Sequence, residues 1–157
     1  LEGYPCALGR DIPKMAERFA GKVALVTGGA GGIGSEIARA FITEGASVMV
    51  FDTNQDAIQS LVSSIGSEGR VRGKVVDVRD EAAVTSAVDE AAEYFGGIDI
   101  LVAAAGGSLG TPRDLEDISS QDLDLVIDVN VKGTFHSAKA VIPWMRKRGG
   151  GSIVTFS

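Results

Sequence analysis

From Gly21 onward the apolar positions alternate between two patterns, short unbroken runs and stripes spaced three or four residues apart. Val23 to Thr27 is a run of apolar or β-branched residues, as in a strand buried on both faces. Behind it Ile33, Ile37 and Phe41 recur at every fourth position, the mark of an amphipathic helix. The alternation continues and predicts strands over 22–27, 47–51, 71–76 and 98–103, with helices over 33–44, 54–65 and 80–95. Gly45, Gly66, Gly69 and the Gly96–Gly97 pair punctuate the helix ends. A long helical region follows from Ser120 to Arg148, with Leu123, Ile127, Asn130, Thr134, Ala138, Val141 and Met145 on one stripe. Gly133 and Pro143 mark places for a bend. A glycine-rich turn then leads into a fifth strand, Ile153 to Phe156. Strict alternation of strand and helix builds a parallel sheet, because right-handed crossovers lay each helix on one of its faces. The fold expected is therefore α/β, a doubly wound parallel sheet with helices on both faces, apparently truncated after the fifth strand. Such an end leaves an apolar edge that soluble proteins cover.

The first strand and first helix are separated by five glycines in seven positions, Gly28, Gly29, Gly31, Gly32 and Gly34. A strand, a glycine turn and a helix gather unpaired backbone N–H groups and the positive end of a helix dipole at one point. With no Cβ atoms to fend it off, a phosphate fits there. A tight structural turn accounts for about a third of lone glycine patterns of this kind, so a second feature matters. The second strand ends at Asp52, eighteen positions after Gly34, where a dinucleotide fold of the Rossmann type places its ribose-binding acid. An aspartate there accepts hydrogen bonds from the 2′- and 3′-hydroxyls and repels a 2′-phosphate, which favours NAD over NADP. Residues 21–157 thus read as a dinucleotide-binding domain, and residues 1–20, aperiodic and carrying Pro5 and Pro13, as an amino-terminal arm with a helical turn around Lys14 to Phe19.

Composition narrows the alternatives. The 157 residues are 45% hydrophobic and 23% charged, with a net charge of −6, and no face concentrates positive charge for nucleic acid. The Arg146-Lys147-Arg148 cluster reads as a helix end matched to its dipole. A single cysteine, Cys6, excludes an internal disulfide, and with a single histidine, His136, it leaves no zinc-type ligand cluster. No run reaches membrane-spanning length, so the setting expected is cytoplasmic. The acids between Asp114 and Asp128 lack the alternating spacing and central glycine of a calcium loop and read as helix-start acids. His136 and Trp144 read as packing residues. Ala103-Ala104-Ala105-Gly106-Gly107, small residues at a strand's carboxyl end, let a flat ring or sugar lie against the backbone or else pack beneath a helix. Asn130, polar on an apolar stripe, is either a satisfied core amide or a site residue.

Taken together these stretches resemble the short-chain dehydrogenase/reductase family over nearly all of Gly21 to Ser157. Thr27-Gly28-x-x-x-Gly32-x-Gly34 is similar to its cofactor motif, Asp77–Val78 to its adenine contact, Ala103 to Gly106 to its Asn-Asn-Ala-Gly, and Gly151 to Ser157 to its serine-bearing strand. The resemblance implies cofactor contacts at Gly28, Gly32, Ile33, Gly34, Asp52, Asp77, Val78, Ala104, Ala105 and Gly106, and a catalytic role for Asn130 in a proton relay. It implies an NAD-dependent oxidoreductase acting on a small-molecule alcohol or carbonyl, with no nucleic-acid or membrane partner. The family's tyrosine, lowered in pKa by a lysine four positions on, does the acid/base work, and no Tyr-x-x-x-Lys stands here: Leu8 follows Tyr4 and Ile98 follows Tyr94 at that spacing. The 157 residues alone are therefore expected to be inactive, and a non-catalytic nucleotide-binding or association module is the alternative. Gly28, Gly31 and Gly34 also fit the extended, epimerase-like branch, but the helix over 80–95 and Ile142-Pro143-Trp144-Met145 look like the shorter, single-domain branch. A stripe with Val141, Ile142 and Met145 lacks a later helix to cover it, and family members pair there, which points to a homodimer or homotetramer.

Overall fold

The computed structural model describes residues 17–66 and 69–156. The serine at 157 and most of the arm, Cys6 and Tyr4 included, lie outside them. Five strands form one sheet: β1 Val23–Thr27, β2 Ser47–Asp52, β3 Val71–Val75, β4 Ile100–Ala103 and β5 Ser152–Thr155. Their order across the sheet is β3-β2-β1-β4-β5 and every pairing is parallel, with Leu25 of β1 level with Met49 on one side and Leu101 on the other. The chain thus builds outward from β1 to β3, then crosses back and starts again at β4. The reversal between β1 and β4 opens a crevice at the carboxyl ends of those strands, where open α/β sheets bind ligands.

Five helices cover the sheet: α1 Gly32–Thr43, α2 Gln55–Ile65, α3 Glu81–Phe95, α4 Ser120–Ile127 and α5 Gly133–Lys147. The period of two along β1 sends Ala24 and Val26 to one face, against Ala38 and Ile42 of α1 and Ile58 and Leu61 of α2. Val23 and Leu25 face the other side, against Val84, Val88 and Ala91 of α3 and Val141 and Met145 of α5. Helix boundaries follow local chemistry. The Asn54 and Asp80 side chains accept the N–H groups of Ala57 and Ala83, both at 3.0 Å, and Gly66 and Gly96 end α2 and α3 in the left-handed region. Ser119 and Asp122 form a reciprocal capping box at α4.

The last helical region adds detail to the expectations and changes one of them. The region from Ser120 to Lys147 is helical, with a π-helical turn, Asp128–Lys132, inserted between α4 and α5 directly before Gly133, while Pro143 lies within α5. That turn rotates the stripe: Leu123 and Ile127 face solvent while Val141 and Met145 are buried against α3 and the sheet. Of the stripe expected to lie uncovered only Ile142 is exposed, and it is joined by Leu123, Ile127, Val131 and Phe135. Arg146, Lys147 and Arg148 do stand at the carboxyl end of α5, and Arg148 in addition pairs with Asp99 at 2.8 Å. At the start of the described chain, Phe19 is fastened to α1 by an edge contact with Phe41, ring centroids 4.9 Å apart, and by its N–H to the Glu44 carbonyl at 2.9 Å.

Candidate cofactor site

Three glycines of the turn differ in what surrounds them. Gly28 sits at φ +62°, and a Cβ there would meet the Ala105 Cα at 2.7 Å and the Ala104 carbonyl oxygen at 2.8 Å. On Gly34 a Cβ would overlap the Gly28 carbonyl, so that glycine lets α1 approach the turn. Gly32, in the first turn of α1, is different: a Cβ there would meet no atom within 4 Å. Neither folding nor packing requires a bare Gly32. Open space over the amino terminus of a helix suits a phosphate group, and the donors there are backbone N–H groups.

The space belongs to a cleft of about 610 Å³. Its walls bring together Gly28, Gly32, Ile33 and Gly34 with Asp52, Asp77, Val78, Ala104, Ala105 and Gly106, drawn from the ends of β1, β2, β3 and β4. Asp52 braces the turn as well as facing the cleft: Oδ2 accepts the Ala30 N–H and Oδ1 the Asn54 N–H, each at 3.1 Å. Each oxygen keeps capacity for a further donor. Asp77 is gripped by Arg79, whose Nε lies 2.9 Å from Oδ2, and that side-chain hydrogen bond holds the Asp77 carboxyl below the usual aspartate range. The end of β4 is tied to β1 by the Ala104 N–H to the Thr27 carbonyl at 3.2 Å and the Ala105 N–H to Thr27 Oγ1 at 3.3 Å. Backbone and threonine thus secure the segment where Ala103 and Ala104 bring no side-chain amide.

Asn130 stands behind this wall, in the π-helical turn. Its Oδ1 accepts the Gly107 N–H at 2.9 Å, while Nδ2 donates to the Gly107 carbonyl at 3.0 Å and to the Val126 carbonyl at 2.9 Å. Both amide N–H groups are used. A Cβ on Gly106 would run into Oδ1, which is why a glycine precedes the clasp. Sequence reasoning missed Arg79, Thr53, Leu125 and Val129, which also line the cleft. Arg79 was within reach, two residues after Asp77; Leu125 and Val129 were not, because helix docking over the cleft is a tertiary event. Among the described residues no group of side chains is placed to hold a metal, and no helix is long and apolar enough to cross a membrane.

The family model for short chain dehydrogenases matches residues 22–157. The chain belongs to the short-chain dehydrogenase/reductase family. It is 43% identical to D-threitol dehydrogenase of Mycolicibacterium smegmatis over 141 residues, 89% of this chain and 54% of that protein. It is 44% identical to the oxidoreductase UcpA of Salmonella typhimurium over 142 residues, 89% of this chain and 52% of that one. The crystal structure of an NAD+-bound xylitol dehydrogenase superposes with a TM-score of 0.83 at 37% identity, covering 88% of this chain and 53% of the other. The chain spans about half the length of the curated relatives it matches.

Proposed function

We propose that these residues form the cofactor-holding part of an NAD-dependent, cytoplasmic oxidoreductase that interconverts a secondary alcohol and a carbonyl. The convergence of the bare Gly32 position, the Asp52 carboxylate and the Asp77–Val78 wall on one cleft carries the reading. The backbone N–H groups at the start of α1 take the diphosphate, and Asp52 takes the adenosine ribose. A 2′-phosphate would meet the Asp52 carboxylate, so NAD is favoured over NADP. When bound, the nicotinamide supplies the hydride chemistry. Asn130 holds the Gly107 peptide, next in the chain to Gly106 of the cleft wall, and the proton-relay role implied for it belongs to this proposal. The sugar-alcohol names of the threitol and xylitol dehydrogenases support a polyol-like alcohol as the substrate class.

The 157 residues themselves, which hold no tyrosine and lysine four apart, we propose to bind the dinucleotide without turning it over. The exposed positions Leu123, Ile127, Val131 and Phe135, four apart, favour pairing of two copies into a homodimer or homotetramer, tested by sedimentation at micromolar concentration. Calorimetry with NAD+ and NADP+ tests the central reading. NAD+ binds more tightly to the parent, and Asp52→Ala weakens NAD+ about tenfold or more while leaving NADP+ nearly unchanged. Equal losses for both cofactors remove the ribose assignment, and no heat with either removes the reading.

A further inference from the structure

Val78, in the cleft wall, is held by α5 at two positions, Gly133 and His136. Gly133 has no Cβ, and one placed there would lie 2.5 Å from Val78 Cγ2. One turn further on, His136 Nδ1 stands 2.9 Å from the Val78 carbonyl oxygen. A carbonyl only accepts, so Nδ1 carries the proton and donates. The imidazole is 12% exposed, and its Nε2 lies 3.9 Å from Glu81 Oε2 at the start of α3, where Lys139 of α5 also reaches Glu81 at 2.7 Å. The segment from Val76 to Glu81 is therefore fixed at both ends. Val76 donates to the Asp52 carbonyl at 2.9 Å, and His136 and Lys139 hold the other end from α5. Between these anchors lie Asp77, Val78 and Arg79, all in the cleft wall.

We infer that His136 is a positioning residue for the nucleotide base, setting through the Val78 carbonyl the wall against which the base rests. The inference rests on the dinucleotide reading above and adds a residue outside the cleft to it. A leucine at 136 leaves the Val78 carbonyl without its donor and frees the 77–79 segment to shift. An asparagine presents its amide Nδ2 where the imidazole Nδ1 stands and keeps the donor. Glu81 and Lys139 pair with each other in either case.

The test measures binding of ADP-ribose, NADH and the hypoxanthine analogue of NADH to the parent chain, His136→Leu and His136→Asn, with thermal melting alongside. ADP-ribose binding by the parent establishes the underlying reading; its absence overturns that reading before His136 is in question. The expected result is that H136L binds ADP-ribose and NADH fivefold to tenfold more weakly and loses most of the preference for adenine over hypoxanthine. H136N stays within twofold of the parent in both respects. A merely structural role would lower the melting temperature without moving the base preference. Parent-like affinity and base preference in H136L overturn the inference, and so does an H136N variant as weak as H136L.

Discussion

The two ends of the same sheet are built on opposite principles. At the carboxyl ends of β1 and β4 side chains are stripped away: Gly28, Gly32, Gly34, Ala104, Ala105 and Gly106 leave the floor of the cleft to backbone. At the amino ends the opposite holds, and a charged cluster closes the gap between the same two strands. Asp99, 6% exposed, accepts the Val23 N–H at 2.9 Å and pairs with Arg148 at 2.8 Å and Lys22 at 3.7 Å. Arg148 reaches on to the Gly21 carbonyl at 3.2 Å. Burial pushes the Asp99 carboxyl up, but the Arg148 and Val23 hydrogen bonds and the Arg148 and Lys22 charges outweigh it and leave it below the ordinary aspartate range. The difference teaches that β1 and β4 are fixed in register at one end by charge, so that their other ends can be left bare.

Substitutions separate the two ends, and the largest expected effect on the fold comes from the bare one. Gly34→Ala drives a Cβ into the Gly28 carbonyl and to 2.8 Å from the Gly29 Cα, backbone that has no side-chain freedom to yield. A loss of about 3 kcal/mol or more in urea unfolding is expected, together with loss of nucleotide binding. Asp99→Ala comes next, at about 2 to 3 kcal/mol, because it removes the carboxylate shared by Arg148, Lys22 and the buried Val23 N–H. Nucleotide affinity of the folded fraction stays at the parent value; a parallel fall in affinity would break the separation of the two ends. The pH dependence has a definite sign. With its folded pKa below the unfolded value of about 3.9, Asp99 contributes its full stability above that value. The contribution is lost as pH falls through the folded pKa, so Asp99→Asn flattens the acid limb of the stability curve.

Asn130→Ala has a smaller effect, about 1 to 2 kcal/mol, since it removes hydrogen bonds to Gly107 and Val126 in a partly exposed turn. Faster hydrogen exchange at Gly107 than at β1 is the readout. Asn130 also shows where the sequence was legible and where it was not. The order of strands and helices followed from period alone, and the resemblance singled out Asn130 from its Val-Asn-Val-Lys-Gly setting. Its partners were invisible, because the π-helical turn that aims it and rotates Val141 inward has no signature in residue spacing. Asp99 falls inside the strand expected over 98–103 with nothing local to single it out. Its partner Arg148 lies 49 positions away, and a pairing over that distance leaves no local pattern. Thr27, by contrast, was counted in the first strand and proved to carry the tie to Ala105 as well.

The smallest expected effect on the fold is the sharpest test of the comparison. Gly32→Ala adds a methyl where no atom lies within 4 Å, in the first turn of α1 and outside the positive-φ positions. Alanine restricts the unfolded chain more than glycine, so the change in stability is a few tenths of a kcal/mol, with a gain as the expected sign. If a diphosphate rests on the start of α1, that methyl stands in its place, and ADP-ribose binding falls about tenfold or more at unchanged stability. Gly34→Ala loses fold and ligand together; Gly32→Ala loses ligand alone. Parent-like affinity in Gly32→Ala would mean that the open space over α1 is not where a phosphate sits, and the bare end of the sheet would then need another explanation for its missing side chains.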